Sequence, residues 1–260
     1  MRGVMMVKNS VEKYILDKLE REKLLFVFID PIDYESPEHA IHAGVAAAEG
    51  GAAAVLVGGS IAVQGELLDS VVKQIKEGIA AFNVPLILFP GNIATLSRYA
   101  DAIYFMSLLN SRSTYWISQA QMLGAPVIKS LGIEPLPIGY IIAEPGGTVG
   151  WVGDANLVPR SKPKYAVALA LAGQYMGSHF IMIDSGSGAG SPLPGPFISA
   201  VKNSIDIPLI IAGGARSIQD ISAVAKAGAD IVQVGTLIQS SKDIKRTVMK
   251  AVEALRKIKH

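Results

Sequence analysis

Residues Ile207–Ser217 read IPLIIAGGARS. Within them, Pro208–Ile211 is a short run of branched, uncharged side chains, the pattern of a strand buried on both faces of a parallel sheet. Gly213-Gly214 follows and lets the backbone approach a ligand closely. Ser217 sits where a helix would begin, and the N–H groups of a helix N-terminus suit an anion. The construction repeats at Asp230–Val234 followed by Gly235-Thr236. Two adjacent strand-to-glycine loops of this kind are how many (β/α)8 barrels grip a phosphate.

Similar apolar runs precede this pair at Leu24–Ile29, Ala53–Val57, Pro85–Phe89, Ala102–Met106, Ile138–Ala143 and His179–Ile183. Helical patterns separate them: Pro37–Glu49, Leu67–Ala81, a short helix after Phe89, Ser113–Leu123 stopped by Gly124 and Pro126, Lys164–Met176, Phe197–Asn203, and a last helix from Lys242. A first helix is expected to be capped by Asn9 or Ser10, with Tyr14, Leu16 and Leu19 facing inward. Helix-separated buried strands imply a parallel sheet. Eight such repeats with no leftover segment predict a single-domain (β/α)8 TIM barrel over residues 1–260. No GxGxxG follows the first strand, which argues against a dinucleotide fold.

Half of the 260 residues are hydrophobic and 18% are charged, enough for a large core. The absence of cysteine excludes disulfides and thiolate metal sites and fits a cytoplasmic setting. Net charge is +2, and the basic residues between Lys242 and Lys259 alternate with apolar ones, a solvated helix face rather than a nucleic-acid site. The N-terminal MRGVMMVKNS has too short an apolar core for a signal peptide. Tyr165–Ile183 lacks Asp, Glu, Lys and Arg over nineteen residues. Its internal Gly173-Gln174 and Gly177-Ser178-His179 divide it into helix, turn and strand instead of a membrane span.

In a barrel of this kind the C-terminal strand ends carry the chemistry. Here they present Asp30, Ser60, Asn92, Glu144, Asp184 and the two glycine loops. His39, His42, His179 and His260 lie elsewhere, which disfavours a histidine-based triad. Asp30 before Pro31 either caps a turn or binds a hard cation, because a carboxylate beside a diphosphate needs Mg2+ between them. Ser60 either caps a helix or meets phosphate oxygens or the metal. Lys129 is a candidate for phosphate contact, with a solvated lysine as the plainer reading. Asp184 ends an apolar strand and is followed by small residues only, so it is the candidate general base. Ser185–Gly190 reads as a ligand loop.

The ordered set Asp30-Pro31, Gly58-Gly59-Ser60, Phe89-Pro90-Gly91-Asn92, Gly139–Trp151 (GYIIAEPGGTVGW), Asp184–Gly188 with Ala189, Gly213-Gly214-Ala215-Arg216 and Gly235-Thr236 resembles geranylgeranylglyceryl phosphate synthases and their heptaprenyl-transferring relatives. Leu108-Leu109-Asn110-Ser111-Arg112, Val152-Gly153-Asp154-Ala155 and Pro159-Arg160 resemble the group II branch. The resemblance spans Phe26 to Thr236. It implies an Mg2+-dependent prenyltransferase that joins a polyprenyl (geranylgeranyl) diphosphate to the C3 hydroxyl of sn-glycerol 1-phosphate, releasing diphosphate, the first ether-forming step of archaeal membrane lipid synthesis. The implied metal contacts are Asp30 and Ser60. The implied acceptor contacts are Met182, Ile183, Asp184, Ser185, Gly186, Ser187 and Gly188, the cup Gly213, Gly214, Gly235 and Thr236, and Glu144 at the rim.

Three positions depart from the family's pattern. Ile32 stands where Asp-Pro-Asp is usual, with Asp33 one place late. Met182 replaces a tyrosine, and Asp184 replaces a glutamate. The apolar tail is expected in a groove near Ala94–Ala102 and Ala143–Gly147. A homo-oligomer with contacts near Tyr115-Trp116 and Trp151, and a peripheral membrane contact for the lipid product, complete the expectations. The rival readings are a phosphate-gripping isomerase or aldolase, for which Lys129 is the nearest Schiff-base candidate, and a non-catalytic binder of phosphorylated lipids.

Overall fold

The computed structural model describes residues 10–258; Asn9, the rest of the N-terminal stretch and His260 lie outside the described residues. Eight strands run in chain order around a closed barrel: β1 (Leu24–Ile29), β2 (Ala54–Gly59), β3 (Leu86–Pro90), β4 (Ala102–Leu108), β5 (Glu134–Ile142), β6 (Phe180–Asp184), β7 (Leu209–Ala212) and β8 (Ile231–Val234). All neighbours are parallel, and β8 closes on β1. The helices are α1 (Ser10–Leu19), α2 (Pro37–Glu49), α3 (Gly65–Gly78), α4 (Ala120–Leu131), α5 (Gly147–Val152), α6 (Pro163–Tyr175), α7 (Gly195–Lys202), α8 (Ile218–Lys226), α9 (Thr236–Gln239) and α10 (Ile244–Arg256). The chain stretch considered above as a membrane span is α6, a turn and β6, and no helix among the described residues is long and apolar enough to cross a membrane.

The strands are apolar throughout because both faces are buried. Alternate residues such as Phe26, Leu56, Tyr104, Ile138, Phe180 and Met182 fill the barrel. Their neighbours, including Val27, Val55, Ile141, Ile181 and Ile183, pack outward against helix residues such as Ala47, Val71, Ala170 and Val224. Helix α1 closes the N-terminal end of the barrel with Val11 and Ile15, while Leu16, expected to face inward, is exposed. The start of α1 is held from a distance rather than by Ser10: the Glu134 carboxylate accepts from Val11 N and Glu12 N, each at 2.9 Å. Asp230 is also buried here and is held by Lys23 at 3.0 Å, Lys202 at 2.6 Å and the N–H of Leu209. His179 pairs with Glu12 at this same end, opposite the mouth.

Three local expectations are corrected. No helix connects β3 to β4. Asn92 folds the chain back by accepting from Ala94 N through its side chain and from Thr95 N through its carbonyl, an alternative to helix for that residue type. The helix expected to stop at Gly124 instead starts as a π-helical turn at Tyr115–Gln119 and continues as α4 through Gly124 and Pro126 to Gly132, which takes φ +73°. Burial of Gly124 and Ile128 holds that helix together across its proline. Strand β5 begins earlier than expected and contains Pro135 and Pro137. Its pairing with β6 starts only at Ile138, so on that side the prolines face no strand that needs their missing N–H groups.

Candidate active site at the barrel mouth

Two cavities open at the C-terminal ends of the strands. The smaller, about 70 Å³, lies between the loops after β6, β7 and β8. Gly213 and Gly214 line it at φ +86° and +80°, a region that L side chains avoid. A Cβ on Gly213 would sit 2.7 Å from Ser185 Oγ and 3.0 Å from Asp184 Oδ1; one on Gly214 would sit 2.1 Å from Ser191 O. Both glycines are therefore required for the loops to nest. Gly235 and Thr236, at the start of the short helix α9, also line the cup, the arrangement of strand-end glycine loops with which such barrels bind phosphate. Ser217 does not line the cup; it caps α8 by accepting from Asp220 N, and Asp220 in turn accepts from Arg216 N.

The β6 loop contributes Asp184 and Ser187 to the wall of the cup. Arg216 donates to the carbonyls of Gly188 and Ala189, and Arg160 donates to Ser191 O, Ser191 Oγ and Pro192 O. These guanidinium groups hold the loop and do not line either cavity.

The larger cavity, about 520 Å³, falls in the ~300–1,000 Å³ range of small-molecule sites. Its polar end contains Asp30, Asp33 and Ser60. From there it passes Phe28, Phe89, Tyr104 and Tyr140, where Phe89 packs edge-on against the other three rings. It then leaves the barrel between β3 and β4, whose pairing is limited to Ile87–Ala102 and Leu88–Ile103. The outward-facing Ile103 and Phe105 line it, as do Ala120, Gly124 and Ile128. The missing helix after β3 thus leaves the outer face of β4 open as an apolar groove under α4. Of the stretches expected to house such a groove, the first contributes Leu96, and the second is replaced by Thr148, Val149 and Val152.

Asp184 lines both cavities. Its Oδ2 accepts from Tyr140 Oη at 2.9 Å and its Oδ1 from Gly186 N at 2.7 Å. Burial raises its pKa above the usual carboxylate value, and the Gly186 and Tyr140 hydrogen bonds oppose that rise. Asp30 is pushed up to about 7, first by burial and then by neighbouring Asp33, against one hydrogen bond from Ile32 N. Gly59 makes room for this carboxylate, since a Cβ there would lie 2.7 Å from Asp30 Oδ2.

Among the residues expected from sequence, Asp30, Ser60, Asp184, Ser187, Gly188, Gly213, Gly214, Gly235 and Thr236 line the two cavities. Met182 does not; it is fully buried in the barrel below Asp184. Ile183 points outward to the helices, and Ser185 is buried against Ala212 O. Gly186 serves through its N–H on Asp184. Glu144 is exposed at the rim, where it accepts from Arg160 N, and lines neither cavity. Lys129 is exposed on α4 away from both, so the aldolase reading loses its lysine. Sequence reasoning missed Tyr140, Tyr104 and Gln233, which face inward from strands that look uniformly buried.

No lysine or arginine lines either cavity among the described residues. An anion held there would depend on backbone N–H groups or a metal in place of cationic side chains. The PcrB family model matches residues 17–254. The chain belongs to the PcrB family. It is 51% identical to the geranylgeranylglyceryl phosphate synthase of Thermococcus kodakarensis over 98% of this chain and all of that one. It is 50% identical to the Pyrococcus horikoshii enzyme of the same name, over 95% of this chain and 96% of that one. The solved (S)-3-O-geranylgeranylglyceryl phosphate synthase of Thermoplasma acidophilum, in complex with its substrate sn-glycerol-1-phosphate, superposes with a TM-score of 0.87 at 32% identity, covering 96% of this chain and 99% of that one. A thiamine phosphate pyrophosphorylase from Pyrococcus furiosus, at 14% identity and a TM-score of 0.61, shares the fold alone. This chain is an enzyme of the geranylgeranylglyceryl phosphate synthase family.

Proposed function

We propose that the enzyme transfers a geranylgeranyl group from its diphosphate to the C3 hydroxyl of sn-glycerol 1-phosphate. The observation that carries this reading is the placement of Asp184 on the shared wall of an anion cup and a long apolar cavity. The acceptor's phosphate sits in the cup of Gly213, Gly214, Gly235 and Thr236. The prenyl tail lies in the groove beside β4, and the diphosphate lies at the Asp30 and Ser60 end. That end fits Mg2+: a half-buried carboxylate with a raised pKa, an acidic neighbour and no ion-pair partner among the described residues is short of positive charge. No cluster of three or more His, Asp or Glu ligands surrounds it among the described residues, so Asp30 and Ser60 would hold the ion with water and diphosphate oxygens as the other ligands. Bound there, Mg2+ supplies charge that stabilises the departing diphosphate.

The rest follows from the chain's own groups. The cup and groove hold the two substrates end to end, and orientation of this kind replaces a bimolecular encounter. The C3 oxygen bonds to the prenyl C1 as the C1–O bond to diphosphate breaks, and Asp184 accepts the hydroxyl proton. Its raised pKa makes it a stronger base than an ordinary aspartate. Tyr140 and Gly186 fix the carboxylate's direction. The aromatic wall of Phe28, Phe89 and Tyr104 keeps water from the reacting carbon. We further place the enzyme in the cytoplasm, with its lipid product handed to a membrane surface, and as a homo-oligomer in which Trp151, 85% exposed, is covered by a partner copy. Trp116 lines the groove and is not assigned to that contact.

The test is incubation with sn-glycerol 1-phosphate and farnesyl, geranylgeranyl or heptaprenyl diphosphate, with and without Mg2+, read by product mass. A prenyl ether formed only with the metal supports the reading; diphosphate left intact under every condition refutes it.

A further inference from the structure

Strand β8 reads IVQV, and Gln233 is its one polar side chain. It points into the barrel and is 4% exposed. Burying an amide is costly unless its groups find partners. One is met: Tyr104 Oη donates to Gln233 Oε1 at 3.1 Å. Tyr104 is fully enclosed, and its hydroxyl proton has no other acceptor among the described residues. The amide therefore keeps its oxygen toward Tyr104 and its Nε2 away from it. Nε2 has no protein partner among the described residues, and Gln233 lines the cup.

The register places this donor. Asp184 is level with Ala212, and Ala212 is level with Gln233, so the three occupy one layer across β6, β7 and β8. The middle position is the smallest side chain that has a Cβ, which leaves open space between carboxylate and amide. The glycines of the phosphate seat are the next residues along β7 and just beyond β8. A glycerol phosphate with its phosphate in the seat and its terminal hydroxyl at Asp184 passes over Ala212. Those two attachments leave the handedness of its central carbon unread; a third contact is needed to distinguish mirror images.

We propose that Gln233, aimed by Tyr104, donates a hydrogen bond to the acceptor's C2 hydroxyl and so sets the enzyme's choice of acceptor. This rests on the assignment of the cup to glycerol phosphate given above. Gln233 is on this account a specificity residue, and Tyr104 a positioning residue that acts through it.

The experiment compares wild type with Gln233→Leu, Gln233→Met and Tyr104→Phe. Dissociation constants for sn-glycerol 1-phosphate, sn-glycerol 3-phosphate, 3-hydroxypropyl phosphate and inorganic phosphate are measured by calorimetry, with the KM for prenyl diphosphate and the thermal midpoint recorded for each protein. Loss of Gln233 is expected to weaken sn-glycerol 1-phosphate about 10-fold. Its preference over 3-hydroxypropyl phosphate, which lacks the C2 hydroxyl, should shrink by the same factor, and inorganic phosphate and prenyl diphosphate should be unaffected. Tyr104→Phe should move the preference in the same direction by less. Equal weakening of all four ligands, inorganic phosphate included, would overturn the proposal in favour of a merely structural amide, as would undiminished discrimination in a folded Gln233→Met protein. A wild-type enzyme that prefers none of the organic phosphates over inorganic phosphate would instead remove the assignment of the cup, and this proposal with it.

Discussion

Replacing Gly213 with alanine separates the two halves of the mouth, because Gly213 lines the cup and not the large cavity. Two costs arise. The backbone is held at φ +86°, where an alanine pays about 1–2 kcal/mol. At roughly 2–4 °C per kcal/mol for a chain approaching this size, the thermal midpoint should fall by about 2–8 °C. The new Cβ also lands 2.7 Å from Ser185 Oγ and 3.0 Å from Asp184 Oδ1, so the carboxylate must give way by several tenths of an ångström. Misplacement approaching 1 Å costs on the order of 100-fold in rate, so kcat/KM for the acceptor should fall about 10- to 100-fold. The KM for prenyl diphosphate should be unchanged. Gly132→Ala is the control: its φ is +73° with open space around the Cβ, remote from the mouth, so it should lower the midpoint similarly and leave kinetics alone. Steady-state kinetics with each substrate varied in turn decides the matter. A Gly213→Ala enzyme with a wild-type acceptor KM and an altered donor KM would refute the reasoning.

Asp184→Asn should retain binding of both substrates by calorimetry and lose about 10²–10⁴-fold in kcat. The acid limb of kcat, measured with saturating Mg2+ and substrates, should lie above the ordinary aspartate pKa of 3.8 because burial raises that of Asp184. Tyr140→Phe removes a hydrogen bond that lowers this pKa, so the limb should move to higher pH, with activity lost first on the acidic side; an unshifted or downward-shifted limb would contradict the assigned contact. Asp30→Asn should abolish the stimulation of turnover by Mg2+ while leaving calorimetric binding of sn-glycerol 1-phosphate alone intact. Gly124→Phe places a ring in the groove under α4, so turnover of geranylgeranyl diphosphate should fall relative to farnesyl diphosphate; equal losses would place the tail elsewhere.

The barrel is legible in the sequence because most strands are short apolar runs closed by glycine, aspartate or proline, and because eight such runs alternate with helical patterns along the chain. The cup is legible for the same reason: Gly213-Gly214 and Gly235-Thr236 are backbone features that only their residue types permit. Residues that act through side chains inside the barrel were hidden. Tyr140 lies in GYIIA, a strand buried on both faces, where alternation of inward and outward positions leaves no polar signature. Its inward direction appears only once Met182 is seen beside it in register and its hydroxyl is seen to reach Asp184. Met182 and Ile183 were expected at the acceptor from the family resemblance; Ile183 faces the helices because consecutive strand residues point to opposite sides, and Met182, inward like Asp184, lies one layer deeper in the barrel. The groove was invisible for a different reason. It is made by the absence of a helix, and the turn chemistry of Asn92 outweighed the weak helical pattern that follows it.

The division of the mouth between acceptor and donor is tested most directly by a crystal structure with Mg2+, sn-glycerol 1-phosphate and a non-hydrolysable geranylgeranyl thiodiphosphate bound together. The expected result is the glycerol phosphate on the N–H groups of Gly213, Gly214, Gly235 and Thr236, its C3 hydroxyl at Asp184, the thiodiphosphate and metal at Asp30 and Ser60, and the tail between β4 and α4. A thiodiphosphate seated in the glycine cup, or a glycerol phosphate at Asp30, would contradict it.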